Sequence, residues 1–96
     1  MKEPQSTAYW HEKLKQLGII VIIPSYNNGK TLADVIESVR SYAPDILVVN
    51  DGSTDETAGI LSREANLQVI THPANQGKGI ALKHGLCHAK AQGFRY

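Results

Sequence analysis

Three runs of apolar residues, each followed at once by a polar cluster, constrain the fold of this chain more than any other feature. The runs span residues 19–23, 46–49 and 67–71. The first two are β-branched or aliphatic throughout, which is typical of parallel strands covered on both faces. Because the carboxyl ends of parallel strands meet at one edge of a sheet, the polar clusters should lie together where open α/β folds bind ligands.

Helical patterns fill the segments between these strands, so the chain is predicted to be an α/β protein with three layers and a Rossmann-like topology. Right-handed crossovers give the parallel strand order 3-2-1 and leave the first strand at an open edge. That strand is predicted to end at Pro24, and residues 1–17 are predicted to add an amphipathic helix beginning near residue 6. The last helix should pack through a stripe made of Leu82, Gly85, Leu86 and Ala89.

The starts of the two middle helices carry a local signal. Thr31 with Asp34, and Ser53 with Glu56, have the spacing of capping boxes, in which each side chain of the pair bonds the backbone amide near the other. The sequence therefore predicts helices that begin near residues 31 and 53.

Composition excludes several classes of protein. A length of 96 residues suits one small domain, and a net charge of +1 is too low to favour nucleic acid as a partner. The single cysteine, Cys87, excludes an internal disulfide and is typical of a reducing compartment. No apolar run is long enough to span a bilayer, and no signal peptide is evident, so we predict a cytoplasmic protein.

The three polar clusters carry residues suited to binding a nucleotide. Asp51 ends the second strand beside a glycine turn, where its carboxylate can accept hydrogen bonds from a base, and Asn50 can contact base or ribose. Lys78 lies between two glycines at a helix start, where amides, helix dipole and ammonium group favour a diphosphate. Tyr26 offers an aromatic surface and Asn28 an amide group. Each cluster alone also fits an ordinary turn, and only their shared position favours a site.

Three other features of the sequence bear on possible binding sites. Residues 29–31 read Gly-Lys-Thr, as in the phosphate loop of an NTPase, but Pro24 stands where that motif needs its first glycine. His84, Cys87 and His88 lie on neighbouring helical turns, where they either bind a metal or flank the apolar stripe. His72 carries no partner pattern and is predicted to be a loop residue.

The stretches IIPSYNNGKTL, LVVNDGSTDET and HPANQGKGIALKHG, in this order and spacing, resemble the inverting family 2 glycosyltransferases with the GT-A fold. The resemblance is greatest to the branch of the dolichyl-phosphate mannosyltransferases. It implies that residues 18–96 are the N-terminal part of a domain that binds a nucleotide sugar. By this resemblance the nucleotide of the donor is lined by Pro24, Tyr26, Asn28, Asn50 and Asp51, with Lys78 near its diphosphate.

The resemblance also implies a chemistry, namely transfer of a sugar from a nucleoside diphosphate to an acceptor hydroxyl with inversion. Members of the family often have a glutamate at position 28 and a second aspartate at position 50, so the asparagines leave the base open. The family's metal-binding DxD motif, which would hold Mg²⁺ or Mn²⁺, and its catalytic base are absent from this sequence. No catalytic or metal-binding residue is therefore predicted within it. The acceptor stays open between lipid phosphate, polysaccharide and protein, and a lipid acceptor would place the protein at the cytoplasmic face of a membrane.

The open apolar edge of the first strand, which a further strand should cover, leads to the expectation that the sequence is a fragment cut before a fourth strand. The missing motif and base lead to the expectation that it is inactive alone. An alternative hypothesis is a noncatalytic nucleotide-binding or assembly module that associates with itself through the open edge of the first strand. A nucleotidyltransferase is a further alternative, although the basic glycine-rich loop that it needs after the first strand is missing. Asp51→Ala is expected to weaken donor binding without unfolding the protein, since a strand end lies outside the core.

Overall fold

Strands and helices alternate along the chain in the computed structural model, which describes residues 7–95. The predicted elements are all present, with bounds that differ from the prediction by a few residues. The elements are α1 (Thr7–Leu17), β1 (Val21–Ser25), α2 (Gly29–Arg40), β2 (Ile46–Asp51), α3 (Thr57–Ser62), β3 (Gln68–His72) and α4 (Lys78–Ala91). Position 6, where the first helix was predicted to begin, lies outside the described residues.

The three strands form one parallel sheet in the order β1-β2-β3, which confirms the predicted order 3-2-1. The central strand, β2, is buried along its whole length, whereas β1 is only half-buried at four of its five positions. The prediction that Pro24 ends the first strand is wrong, because Pro24 lies inside β1 opposite Val49. A proline is tolerated there because β1 is an edge strand within the described sheet, and its missing N–H need not pair.

Two apolar clusters cover the two faces of the sheet and confirm the three-layer architecture. On one face, Leu32 and Ile36 of α2 and Leu61 of α3 pack against the sheet, and Leu14 of α1 packs against the edge of this cluster. On the other face, Ala81 and Ala89 of α4 pack against the sheet. The helices therefore cover both faces of the buried strand β2, and the polar residues that follow the strands lie together at the carboxyl edge of the sheet.

Helix α4 lies unusually close to the sheet, because small residues form its buried stripe. Ala81, Gly85 and Ala89 are its buried residues, while Leu86 is 60% exposed, so the predicted stripe was wrong at Leu86. A Cβ added at Gly85 would lie 2.8 Å from Cγ2 of Ile22. The stripe is displaced because only residues without long side chains fit this separation between helix and sheet.

Neither predicted capping box forms. The helices begin at Gly29 and Thr57 instead, and neither makes a side-chain hydrogen bond at its N-cap residue. One carboxylate serves both helix starts: Asp55 accepts a hydrogen bond from the Gly29 amide at 3.0 Å and from the Thr57 amide at 3.0 Å. Sequence spacing along one helix could not predict this contact, because it joins two helices that only the fold brings together.

The segment after α4 returns to the beginning of β1. Gly93 has a positive φ of 92°, which ends the helix as predicted, and the Arg95 amide donates to the Gly18 carbonyl at 2.8 Å. Residues 94–95 therefore run beside the residues that precede the edge strand.

Candidate functional site

A cleft of about 300 Å³ opens at the carboxyl edge of the sheet, between the end of β1 and the beginning of α4. All three polar clusters of the sequence contribute to its walls, as the parallel topology requires. The lining residues are Pro24, Ser25, Tyr26, Asn28, Asp51, Asn75, Gly77, Lys78 and Ala81.

All but one of the six residues predicted for the site line this cleft, and Asn50 is the exception. Successive side chains of a strand point to opposite faces of the sheet, so Asn50 points away from the face that Asp51 and α4 share. It is 2% exposed, and its Oδ1 accepts a hydrogen bond from the Ser53 amide at 3.1 Å. In this structure Asn50 shapes the turn after β2.

The loop after β1 is tied to the loop after β2 through Asn27. Its side-chain Oδ1 accepts hydrogen bonds from the backbone amides of Thr54 at 2.8 Å and Asp55 at 3.3 Å. Its backbone amide donates to Ser53 Oγ at 3.0 Å. Asn27 adopts a positive φ of 52°, which asparagine tolerates better than most residues. These bonds hold the loop that presents Tyr26 to the cleft.

Asp51 holds the third cluster in place, a role that the sequence did not reveal. Its Oδ1 accepts hydrogen bonds from His72 Nδ1 at 2.8 Å and the Gln76 amide at 2.9 Å. Its Oδ2 accepts from Asn75 Nδ2 at 3.1 Å and the Gly77 amide at 2.9 Å. The two carboxylate oxygens offer about four acceptor sites, and these donors fill them. We call this arrangement of Asp51 with residues 75–77 the carboxylate clamp.

These hydrogen bonds lower the pKa of Asp51 below its ordinary value of 3.8, and the bond from His72 is the largest cause. Burial acts in the opposite direction, because it disfavours the charged form, but the amides of Gln76 and Gly77 add to the stabilisation of the carboxylate. Asp51 is therefore a carboxylate at neutral pH.

His72 was predicted to be a loop residue without a partner, and that prediction is wrong. It is the last residue of β3, it is buried, and its second ring nitrogen, Nε2, lies 2.9 Å from Nδ1 of His84 on α4. Because the register pairs Asp51 with His72, their side chains project from adjacent strand ends on the same face. Only the strand register could have shown this pairing.

The other end of the cleft is the N-terminus of α4. Lys78 is exposed at the first position of the helix, no acidic residue lies in the first turn, and the N-cap residue Gly77 makes no side-chain cap. The first-turn amides and the Lys78 ammonium group therefore offer donors to a phosphate group, beside the Asp51 carboxylate that already binds the Gln76 and Gly77 amides.

The Gly-Lys-Thr segment does not form a phosphate loop. The Gly29 amide, which a phosphate would need, donates to the carboxylate of Asp55, and Glu56 lies beside it. Two acidic side chains at this helix start disfavour an anion.

The metal hypothesis for α4 also lacks support from geometry. Within residues 7–95 no group of three or more His, Cys, Asp or Glu side chains is placed to hold a metal ion. His84 pairs with His72, His88 Nε2 lies 3.0 Å from Gln68 Oε1, and Cys87 is exposed. No helix within the same residues has the length and apolar character needed to cross a membrane.

Comparison with solved structures shows the fold. The glucosyl-3-phosphoglycerate synthase of Mycobacterium tuberculosis, solved in complex with UDP, superposes with a TM-score of 0.66 at 23% identity. The superposition covers 92% of this chain and 35% of the synthase. The architecture is therefore that of the GT-A fold, as the resemblance implied.

Curated relatives lie among glycosyltransferases of several kinds. A dolichyl-phosphate beta-glucosyltransferase of Trichomonas vaginalis is 34% identical over 92 residues, which cover 80% of this chain and 28% of that protein. The human dolichyl-phosphate beta-glucosyltransferase is 29% identical over 86% of this chain and 30% of its own length. A poly-beta-1,6-N-acetyl-D-glucosamine synthase of Staphylococcus epidermidis is 32% identical over 75% of this chain and 19% of its own length. This chain thus spans less than a third of the length of these relatives.

A sequence profile of one family matches residues 20–95, which include every strand and every residue of the cleft. The match supports an enzyme over the noncatalytic module considered from the sequence, and it agrees with the fold and with the relatives. The chain belongs to glycosyl transferase family 2.

Proposed function

We propose that this chain forms the donor-binding part of an enzyme that transfers a sugar from a nucleoside diphosphate to an acceptor oxygen. The observation that carries the proposal is the cleft, which is lined by an aromatic side chain just after β1 and by a lysine at the N-terminus of α4. A nucleotide sugar needs both, because its base is flat and apolar and its diphosphate is anionic.

Each end of the cleft has its own role in this proposal. Tyr26 and Pro24 contact the base and ribose, with Asn28 as an amide partner at the rim. Lys78 and the first-turn amides of α4 hold the diphosphate. Asp51 contributes through the carboxylate clamp, which fixes the turn that leads into α4, since its acceptor sites are already occupied.

The proposed reaction breaks the bond between the anomeric carbon and the diphosphate oxygen and forms a bond from that carbon to the acceptor oxygen. A single displacement from the opposite side inverts the configuration, and a hydroxyl acceptor gives up its proton to a base. Negative charge grows on the leaving diphosphate, so a fixed cation and fixed amides at Lys78 stabilise the transition state more than the bound donor. The described residues do not fit a divalent metal, because the clamp occupies the carboxylate of the cleft.

The names of the relatives suggest which sugar donor and which acceptor to test first. Two of them are dolichyl-phosphate beta-glucosyltransferases, and the structural neighbour was solved with UDP. We therefore propose UDP-glucose as the first donor to test and a polyprenyl phosphate at a membrane surface as the first acceptor. A polyprenyl phosphate presents an ionised oxygen, which attacks without first losing a proton.

Calorimetry on the intact protein tests the donor site. UDP-glucose should bind, and Lys78→Ala should weaken that binding by roughly tenfold, the loss typical of one hydrogen bond to a charged group. Lys90→Ala is the matched control, because Lys90 is an exposed lysine in the last turn of the same helix. Equal losses in the two variants, or no binding by the unmodified protein, would contradict the proposal.

Transfer is tested separately with radiolabelled UDP-glucose and dolichyl phosphate in detergent. The expected product is a labelled lipid of the β configuration, since UDP-glucose is an α-glycoside. An α-configured product would exclude inversion, and label in a water-soluble product only would exclude the lipid acceptor.

A further inference from the structure

Asp51, His72 and His84 form a continuous hydrogen-bonded chain that leads from the cleft to the protein surface. The Asp51 Oδ1 to His72 Nδ1 distance is 2.8 Å, and the His72 Nε2 to His84 Nδ1 distance is 2.9 Å. The two imidazole rings meet edge to face, with centroids 4.9 Å apart. Asp51 and His72 are buried, whereas His84 is exposed on α4.

The chemistry of the groups sets the direction of these hydrogen bonds. A carboxylate only accepts, so His72 Nδ1 carries a hydrogen and donates it to Asp51. In a neutral His72 the other nitrogen, Nε2, is then an acceptor, and His84 Nδ1 donates to it. This leaves Nε2 of His84 as the atom that takes up a proton from solvent. One added proton thus leaves both hydrogen bonds intact, whereas a second would put hydrogens on both facing nitrogens and break the contact.

We propose that His72, held by His84, is a positioning residue for nucleotide-sugar binding, and that the proton taken up by this pair tightens binding of the diphosphate. The inference rests on the proposed function of the cleft. His72 acts through Asp51, whose carboxylate clamp fixes the amides of Gln76 and Gly77 immediately before α4. Loss of the His72 bond removes one of the two donors to Asp51 Oδ1, the other being the Gln76 amide, and loosens the turn that precedes Lys78.

Charged groups on every neighbouring element bear on this proton. From β2, Asp51 favours a cationic pair, since it carries the negative charge that His72 contacts. On α4, Lys78, Lys83 and His88 disfavour it, and Cys87 adds a thiol on the next turn. Asp51 is in direct hydrogen-bonding contact with the pair, so its carboxylate favours the added proton.

The test measures the affinity of the intact protein for UDP-glucose at about pH 6 and about pH 8, the range in which histidine changes charge. UDP-glucose is the suitable probe, because its diphosphate is esterified at both ends and does not titrate there. His72→Leu removes both hydrogen bonds. His72→Asn keeps an N–H donor for Asp51 near the position of Nδ1 but removes the nitrogen that meets His84.

A control variant is available one turn further along α4. His88→Gln changes a histidine that pairs with Gln68 of β3, so it alters the same helix and strand without touching the clamp. Thermal unfolding of each variant separates loss of fold from loss of positioning. The conservative variant His72→Asn keeps the test decisive if His72→Leu fails to fold.

The inference predicts that the unmodified protein and His88→Gln bind UDP-glucose a few-fold more tightly at the lower pH. His72→Asn should match them at the higher pH and gain less at the lower one, because His84 is then no longer held by His72, while His72→Leu should bind roughly tenfold more weakly at both. An unmodified protein whose affinity does not change with pH, or a His72→Asn variant with the full pH dependence, overturns the inference alone. An unmodified protein that does not bind UDP-glucose at either pH overturns the proposed function as well.

Discussion

Replacing Gly52 with alanine should damage the site more than its small size suggests. Gly52 directly follows Asp51 and adopts a positive φ of 74°. A Cβ at this position would lie 2.3 Å from the Asn75 amide nitrogen and 2.4 Å from the Ala74 carbonyl carbon. Both contacts are with backbone atoms of the loop that the carboxylate clamp holds, so no side chain can rotate away to relieve them.

The expected loss has two parts. A left-handed conformation costs a residue with a Cβ about 1–2 kcal/mol relative to glycine. Forcing an extra methyl group against packed backbone costs about 1–3 kcal/mol more. Gly52→Ala should therefore lower the free energy of unfolding by about 2–5 kcal/mol, a large share of the 5–15 kcal/mol typical of a domain.

Urea unfolding of the intact protein measures this loss, and Gly93→Ala is the matched control. Gly93 also has a positive φ, of 92°, but nothing lies within 4 Å of a Cβ built there. Gly93→Ala should therefore lower the free energy of unfolding only by the cost of the left-handed conformation, about 1–2 kcal/mol. Gly52→Ala should in addition weaken binding of UDP-glucose, because the displaced residues 74–75 pull on the clamp. A Gly52 variant no less stable than the Gly93 variant would refute the close contact between the two loops.

Three further predictions concern the clamp and the helix behind it. A carboxyl group whose pKa is lowered by folding stabilises the fold at pH values above its ordinary pKa of 3.8, and this contribution is lost as the pH falls further. The free energy of unfolding in urea should therefore fall less steeply with acid in Asp51→Asn than in the unmodified protein. An unchanged slope would show that Asp51 is not the group responsible. Gly85→Ala should destabilise by up to about 2 kcal/mol, since overpacking against Ile22 exceeds the gain in helix propensity. Gly79→Ala, with nothing within 4 Å of the added Cβ, should not destabilise, and equal effects of the two substitutions on urea unfolding would contradict the close packing of α4. Binding of UDP-glucose should weaken with added salt in the unmodified protein and less so in Lys78→Ala, as measured by calorimetry, and equal salt dependence would remove Lys78 from the diphosphate.

Much of the fold could be predicted from the sequence because its signals are local. The buried strand 46–51 has no competing pattern, and the two neighbouring strands carry enough β-branched residues to be found. Strand order follows from the handedness of crossovers, which depends on chain chirality rather than on particular side chains. Five predicted residues consequently line one cleft, since parallel strands bring their carboxyl ends together.

What could not be predicted depends on contacts between elements. The pairing of Asp51 with His72 follows from strand register, and the capping role of Asp55 follows from the distance between α2 and the loop after β2. The exposure of Leu86 follows from how closely α4 approaches the sheet at Gly85. None of these contacts between elements can be read from the spacing of residues along a single element.

The buried position of Asp51 also changes one expectation. A strand end was expected to lie outside the core, so that Asp51→Ala would weaken binding without unfolding the protein. Asp51 is instead 3% exposed, and its carboxylate joins three segments of chain. Removing it leaves buried donors without partners, which costs stability as well as affinity.

The most direct test of the account is a crystal structure of the intact protein with UDP-glucose. The account predicts density for the donor in the cleft, with the base against Tyr26, the diphosphate within hydrogen-bonding distance of Lys78 and the α4 amides, and Asp51 still bonded to residues 75–77. Density for the donor elsewhere, or a diphosphate directed away from α4, would contradict the assignment of this cleft as the donor site.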